Sequence, residues 1–149
     1  MNQKTIHNLI WAPIFLIGVA SLAFGLIWIL HPEPWLLDQP ANEALLQTSF
    51  NELFLDDANK FLPSYLMVIY RFLGLWLITI GLLVLSYVKI TKLGTNQARL
   101  SIHSTLLLTL ISMYYLIFKY LPTSPLIPTL YIFTLLLGLS IYFSSRITS

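Results

Sequence analysis

The chain has 149 residues, of which 57% are hydrophobic and 9% are charged, with a mean hydropathy of +0.79. Eight basic and six acidic side chains cannot furnish the polar surface that a soluble domain of this length requires, so most of the chain has lipid as its solvent. The lack of cysteine excludes disulfides, thiolate metal sites and thiol nucleophiles, and a net charge of +2 is too small to point to nucleic acid.

The first apolar segment runs from Asn8 to Leu30. It has Lys4 ahead of it and small residues at Ala20, Ser21 and Ala23, as a signal peptide would, but it continues through "GLIWIL" to "HPEPW". A signal h-region ends after about 7 to 15 residues, so this segment reads as a retained anchor. The connection 31–63 follows. Asp38 before Pro40 marks a helix start, and Leu46, Phe50, Leu53 and Phe54 recur at helical spacing. An amphipathic helix over about 40–55 is predicted, lying across the outer mouth with Glu43, Glu52 and Asp56 toward water.

Three further spans are predicted at 64–90, 100–121 and 126–143, the last started by Pro125 and Pro128. Each is long enough to cross a hydrocarbon core of roughly 30 Å, which takes about 20 helical residues. Lipid offers no partner to backbone N–H and C=O groups, and none of the segments alternates as a membrane barrel strand does. The expectation is therefore an all-α fold, a single transmembrane domain over 1–149. It is an integral membrane four-helix bundle with an amphipathic helix in its first extracytoplasmic loop.

Lys4, Lys89, Lys92, Arg99 and Arg146 fall on one side of these spans. Lys60 and Lys119 fall on the other, together with all six acidic residues: Glu33, Asp38, Glu43, Glu52, Asp56 and Asp57. By the positive-inside rule both termini face the cytoplasm, which implies a bacterial inner (plasma) membrane location. Trp28, Trp35, Tyr65, Tyr115, Tyr120 and Tyr131 then sit near the outer boundary, and Trp11, Tyr87 and Tyr142 near the inner one.

Gly18 and Gly25 are seven apart in the first span, as are Gly74 and Gly81 in the second. Each pair marks one helix face, and small residues let helix backbones approach, so the first two spans are expected to pack through these faces. The stretches "GVASLAFGLIWILHPEPWLL" and "YRFLGLWLITIGLLVL" resemble the first half of the DoxX-like membrane proteins, in particular their small four-helix branch, over residues 14 to 85. The resemblance implies a four-helix bundle with Arg71 as a family feature, and no particular reaction.

Arg71 stands inside an otherwise apolar run. A central arginine costs insertion about 2.5–3.5 kcal/mol, while each Leu, Ile, Val or Phe returns roughly 0.3–0.6. The second span has more than a dozen of these, so Arg71 needs no functional compensation to insert. It lies about 10 Å below the outer end and can snorkel upward. Alternatively it faces the bundle interior, paired with a carboxylate or holding an anionic head group. The candidate ligand or ion-pair set is Arg71, His31, Glu33, Asp56, Asp57 and Lys119, with Tyr115 beside the last.

His7 and His103 lie on the opposite side from His31, so the histidines cannot form one site. His103, among Ser101, Ser104 and Thr105, reads as an interfacial or hydrogen-bonded helix residue. No zinc-protease, serine-hydrolase or nucleotide-loop motif is present, and "DD" at 56–57 alone is too few ligands for a metal. Transport lacks a ring-forming charge series or centrally broken helices. No catalytic residue, cofactor or metal is assigned. Two functions stand. The first is a structural or accessory subunit, held among membrane lipids by a membrane-protein partner or a second copy. The alternative binds, or isomerises, a lipophilic small molecule or lipid head group beneath the outer loop near Arg71.

Overall fold

Helices and short turns account for the secondary structure throughout residues 2–147, the part of the chain that the computed structural model describes; the ends of the 1–149 span lie outside it. The order is α1 (Gln3–Leu30), a 3-10 turn (Pro34–Asp38), α2 (Gln39–Leu46), α3 (Phe50–Leu55), a second 3-10 turn (Asp57–Asn59), α4 (Leu62–Thr91), α5 (Asn96–Tyr120) and α6 (Ile127–Ser144). Four of these helices, α1, α4, α5 and α6, are long and apolar enough to cross a membrane. Local sequence sets their ends. Asn2 caps α1 by accepting the Lys4 N–H, Thr95 caps α5 by accepting the Ala98 N–H, and Pro63 and Pro128 sit in the first turns of α4 and α6. At 1.5 Å per residue the 28 residues of α1 reach about 42 Å, so its first turns project beyond a hydrocarbon core of roughly 30 Å.

The helices are arranged in the order α4, α1, α6, α5, each with an extended contact to the next. The tightest contact is between α1 and α4, where backbone meets backbone. A Cβ on Gly25 would stand 2.6 Å from the Gly74 carbonyl oxygen, and one on Gly81 would stand 2.8 Å from that of Gly18. These glycines serve by having no side chain, which allows close dispersion contact without any hydrophobic drive between lipid-solvated helices. Ile10, Ile14 and Ile17 of α1 are buried with Val84 and Val88 of α4, and with Leu130 and Leu137 of α6.

A buried polar pin joins three helices near the end that carries both termini. Ser140 of α6, fully buried, donates its hydroxyl to the Ile10 carbonyl of α1 at 2.6 Å. Its only proton is thus used, so the 2.8 Å contact with His103 of α5 has the imidazole Nε2–H as donor. Ile10 lies one residue beyond the Leu9 carbonyl that Pro13, inside α1, leaves without its helical donor. His103 is accordingly a hydrogen-bonded helix residue.

The loop departs from the single helix expected over about 40–55. It forms two helices, broken at Gln47, whose φ of 56° places it in the left-handed region. The cause is a capping box: the Ser49 hydroxyl accepts the Glu52 N–H at 3.2 Å, and the Glu52 carboxylate accepts the Ser49 N–H at 3.5 Å. Glu43 reinforces the break by accepting the Phe50 N–H at 2.9 Å, and this bond, with the Gln39 amide, holds its carboxyl below the usual range. The break shifts the helical phase, so Phe50 is buried while Leu46 is exposed. Phe54 packs edge-on against Trp35 with centroids 5.8 Å apart, which seats α3 on the first 3-10 turn.

Candidate functional site

At the end carrying the termini, α4 and α5 are stitched together. Lys92 and Leu93 take φ values of 49° and 52°, a tight turn that leaves carbonyls pointing outward from the end of α4. Buried Arg99 donates from Nη1 to the Leu93 and Gly94 carbonyls at 3.3 Å each, and the Tyr87 hydroxyl donates to the Ala98 carbonyl at 3.1 Å. A cation on the carbonyl end of a helix is electrostatically favoured. Beyond this stitch α4 and α5 share no extended contact among the described residues, and α1 and α6 form the back wall between them.

Two cavities occupy that space. One, of about 150 Å³, lies toward the loop and is lined by Phe24, Trp28, Leu73, Thr129 and Leu130. The other, of about 140 Å³, lies deeper among Ile17, Ile80, Val84, Leu106 and Leu110. Ser21, Leu77, Met113 and Phe133 border both. Each equals in size an apolar protein cavity that stays dry and takes a single aromatic ring. The wall offers few hydrogen bonds, because the hydroxyls of Ser21 and Thr109 are already given to the Ile17 and Thr105 carbonyls. Trp28 differs: its ring is 4% exposed and its buried Nε1–H has no acceptor among the described residues. An unmet buried donor costs about 1–3 kcal/mol.

The loop packs at the same end of the bundle as the first of these cavities, without supplying any of its lining residues. Its first 3-10 turn rests on both α1 and α4, with Pro34 and Trp35 buried. Asp38 does not cap the helix that follows it; its carboxylate instead turns inward and accepts the Ser124 hydroxyl from the α5–α6 connection at 3.2 Å. Beside it the Thr123 hydroxyl reaches the Pro40 carbonyl at 3.4 Å. Asn42 ties the same turn to α4, its Nδ2 donating to the Asp38 carbonyl at 3.0 Å and to the Tyr70 hydroxyl at 2.7 Å. Burial pushes the Asp38 carboxyl above its ordinary value, and the Ser124 bond only partly offsets this. Asp38 and Ser124 are thus a latch between the two loops at this end of the bundle. Neither residue shows in the sequence as more than a helix start and a loop serine, for their partnership spans 86 positions.

The six side chains singled out from the sequence lie elsewhere and make local contacts. Arg71 is exposed on the outside of the bundle, beside Ile29, Val68, Phe72 and Leu75 in an open groove of about 280 Å³. His31 ends α1, and its Nδ1 accepts the Glu33 N–H at 3.1 Å. Asp56 caps the second 3-10 turn through the Ala58 N–H, with Asp57 exposed beside it. Lys119 donates to the Tyr115 hydroxyl at 2.7 Å and lies 5.0 Å from the Tyr120 ring centroid. Among the described residues no three His, Asp or Glu side chains group as metal ligands would. No protein-family model, no curated protein and no solved structure matches the chain.

Proposed function

We propose that the protein binds a lipophilic small molecule in the membrane, enclosed between α4 and α5 beneath the latched loop. The observation that carries this reading is the pair of adjoining apolar cavities that share Leu77 and Met113. Two ring-sized compartments suit a molecule of two fused rings or one flexible apolar chain. Entry from the bilayer, between α4 and α5, requires no passage through water.

Native mass spectrometry after gentle detergent extraction tests the reading. The wild-type chain retains one defined adduct, and Leu77→Trp, which fills the space common to both cavities, loses it. Trp28→Phe keeps the apolar wall and retains the adduct. If wild type and Leu77→Trp carry the same lipids, those lipids are annular and the proposal fails.

A second reading, the accessory subunit, has its own support. The outward face of α5 exposes Ser101, Ser104, Thr105 and Ser112, small residues on which another membrane helix can pack closely. Purification under the same gentle conditions distinguishes the two: a stoichiometric partner lost on Thr105→Leu, which touches neither cavity, supports the subunit, and a lone chain with a retained adduct supports the binder.

A further inference from the structure

A groove of about 410 Å³ opens between the start of α1 and the residues after α6, lined by Gln3, Lys4, Ile6 and His7 of α1 and by Arg146 and Ile147 beyond α6. We propose that this groove holds the phosphate of an anionic phospholipid head group. The inference is independent of the cavity between α4 and α5, which lies among other residues.

The first argument is charge. Lys4 and Arg146 are fixed cations and His7 offers a ring N–H, while all six acidic side chains of the chain lie between residues 33 and 57, in the loop at the other end. No Asp or Glu side chain near the groove competes for these donors. The loop-end cations Lys60, Arg71 and Lys119 share their end with all six carboxylates, so an anion would distinguish the two ends of the molecule.

The second argument is preorganisation. Arg146 lies on the ring of Tyr142, its guanidinium carbon 5.0 Å from the centroid, and gives one N–H to the Tyr142 hydroxyl at 2.8 Å. Guanidinium has five donors in a fixed plane, so this contact orients the group and leaves the others for a tetrahedral oxyanion. The Lys4 ammonium is on an exposed side chain whose backbone N–H alone serves the Asn2 cap.

The third argument chooses the source of the phosphate. Ile6 and Ile147 give the groove an apolar wall. A soluble phosphate gains nothing from that wall, whereas the glycerol and first methylenes of a lipid bury against it. The position agrees: α1 is about 12 Å longer than the roughly 30 Å hydrocarbon core, which brings its first turns to head-group depth.

The test uses the full chain in bilayers of phosphatidylglycerol and phosphatidylcholine in equal amounts, followed by native mass spectrometry of the lipid that stays bound. Wild type retains phosphatidylglycerol in preference. Lys4→Gln and Arg146→Gln each reduce the preference about fivefold, the value of one cation at an anionic surface. Arg146→Lys keeps most of it, and Lys60→Gln, at the loop end, leaves it unchanged. Equal retention of the two lipids by wild type, or a preference unmoved in the Lys4→Gln/Arg146→Gln variant, overturns the proposal. Displacement of the lipid by excess soluble glycerol phosphate would overturn the lipid source and assign the groove to a free phosphate ester.

Discussion

The seam between α1 and α4 and the gap between α4 and α5 are made from the same kinds of residue, yet one excludes even a methyl group and the other leaves room for rings. In the seam, Gly18, Gly25, Gly74 and Gly81 remove side chains where the backbones cross, so the two helices touch along their length. Across the gap, Leu77 faces Met113 over cavities of about 150 and 140 Å³ with no glycine on either helix between residues 75–80 or 96–120. In a bilayer, where burying leucine yields little because lipid is as apolar, closeness must come from small residues or polar pins. The gap stays open because α4 and α5 are tied only at their ends, directly by Arg99 and Tyr87 and through the loop by Asn42 and Asp38.

Breaking the seam should have the largest effect. Gly25→Leu places a branched side chain where even a Cβ would lie 2.6 Å from the Gly74 oxygen and 2.7 Å from the Ile78 nitrogen. Backbone atoms cannot swing aside, so a loss of more than about 3 kcal/mol is expected, with about 1–3 kcal/mol for Gly25→Ala. The midpoint of an SDS titration in mixed micelles reads both. Equal midpoints for wild type and Gly25→Ala would show that α1 and α4 do not depend on backbone contact.

Removing the pin comes next. Ser140→Ala leaves the His103 Nε2–H without its acceptor and the Ile10 carbonyl without its second donor, for about 1–3 kcal/mol on the same scale. Ser21→Ala is the comparison: its hydroxyl serves only the Ile17 carbonyl four residues back in its own helix, so its loss should be under about 0.5 kcal/mol. A similar cost for both would mean that Ser140 acts through volume rather than by joining three helices.

How far the sequence foretold this contrast differs between the two regions. The four long helices follow from apolar length, with boundaries within about two residues except at the starts of α1 and α5, which begin at Gln3 and Asn96 rather than at Asn8 and Leu100. In α1 the Asn2 cap starts the helix ahead of the apolar run, because helical hydrogen bonding does not require apolar side chains. The heptad spacing of glycines is visible in one dimension because it repeats on one helix face. The gap is not visible, since Leu77 and Met113 are ordinary apolar residues and the space between them depends on how α1 and α6 hold their helices apart. The loop held an unused signal. Ser49 with Glu52 is a capping box, and it would have divided the expected helix at Gln47. Arg71 drew notice as a charge among leucines, while Asp38, the carboxylate that is actually buried, looked like any loop acid.

The latch gives a smaller, pH-dependent effect at the mouth of the gap. Burial raises the Asp38 carboxyl above its ordinary value, so the folded state binds that proton more tightly than the unfolded state does. The contribution of this group is therefore fully present below the ordinary carboxylate range. It declines as pH rises from there through the raised folded value. Asp38→Asn keeps an acceptor for Ser124 and removes the titration. Its SDS midpoint should match wild type in acid and exceed it at neutral pH. The reverse order at neutral pH would mean that the ionised carboxylate is itself the stabilising form.

The smallest expected effect isolates what makes a glycine matter. Gly138 of α6 would meet nothing within 4 Å if given a Cβ, in contrast to Gly25. Gly138→Ala therefore carries no steric cost and reduces the backbone freedom of the unfolded chain, a gain of at most about 1 kcal/mol. Measured beside Gly25→Ala, it separates closeness from flexibility, because both substitutions change helix propensity alike and only one meets a neighbouring backbone. A loss at Gly138 matching that at Gly25 would mean that glycine serves helix flexibility at both sites, and the account of the seam would fall. A loss at Gly138 only at high protein-to-detergent ratio would instead place a second helix on that face of α6, making its glycine a seam of the same kind between chains.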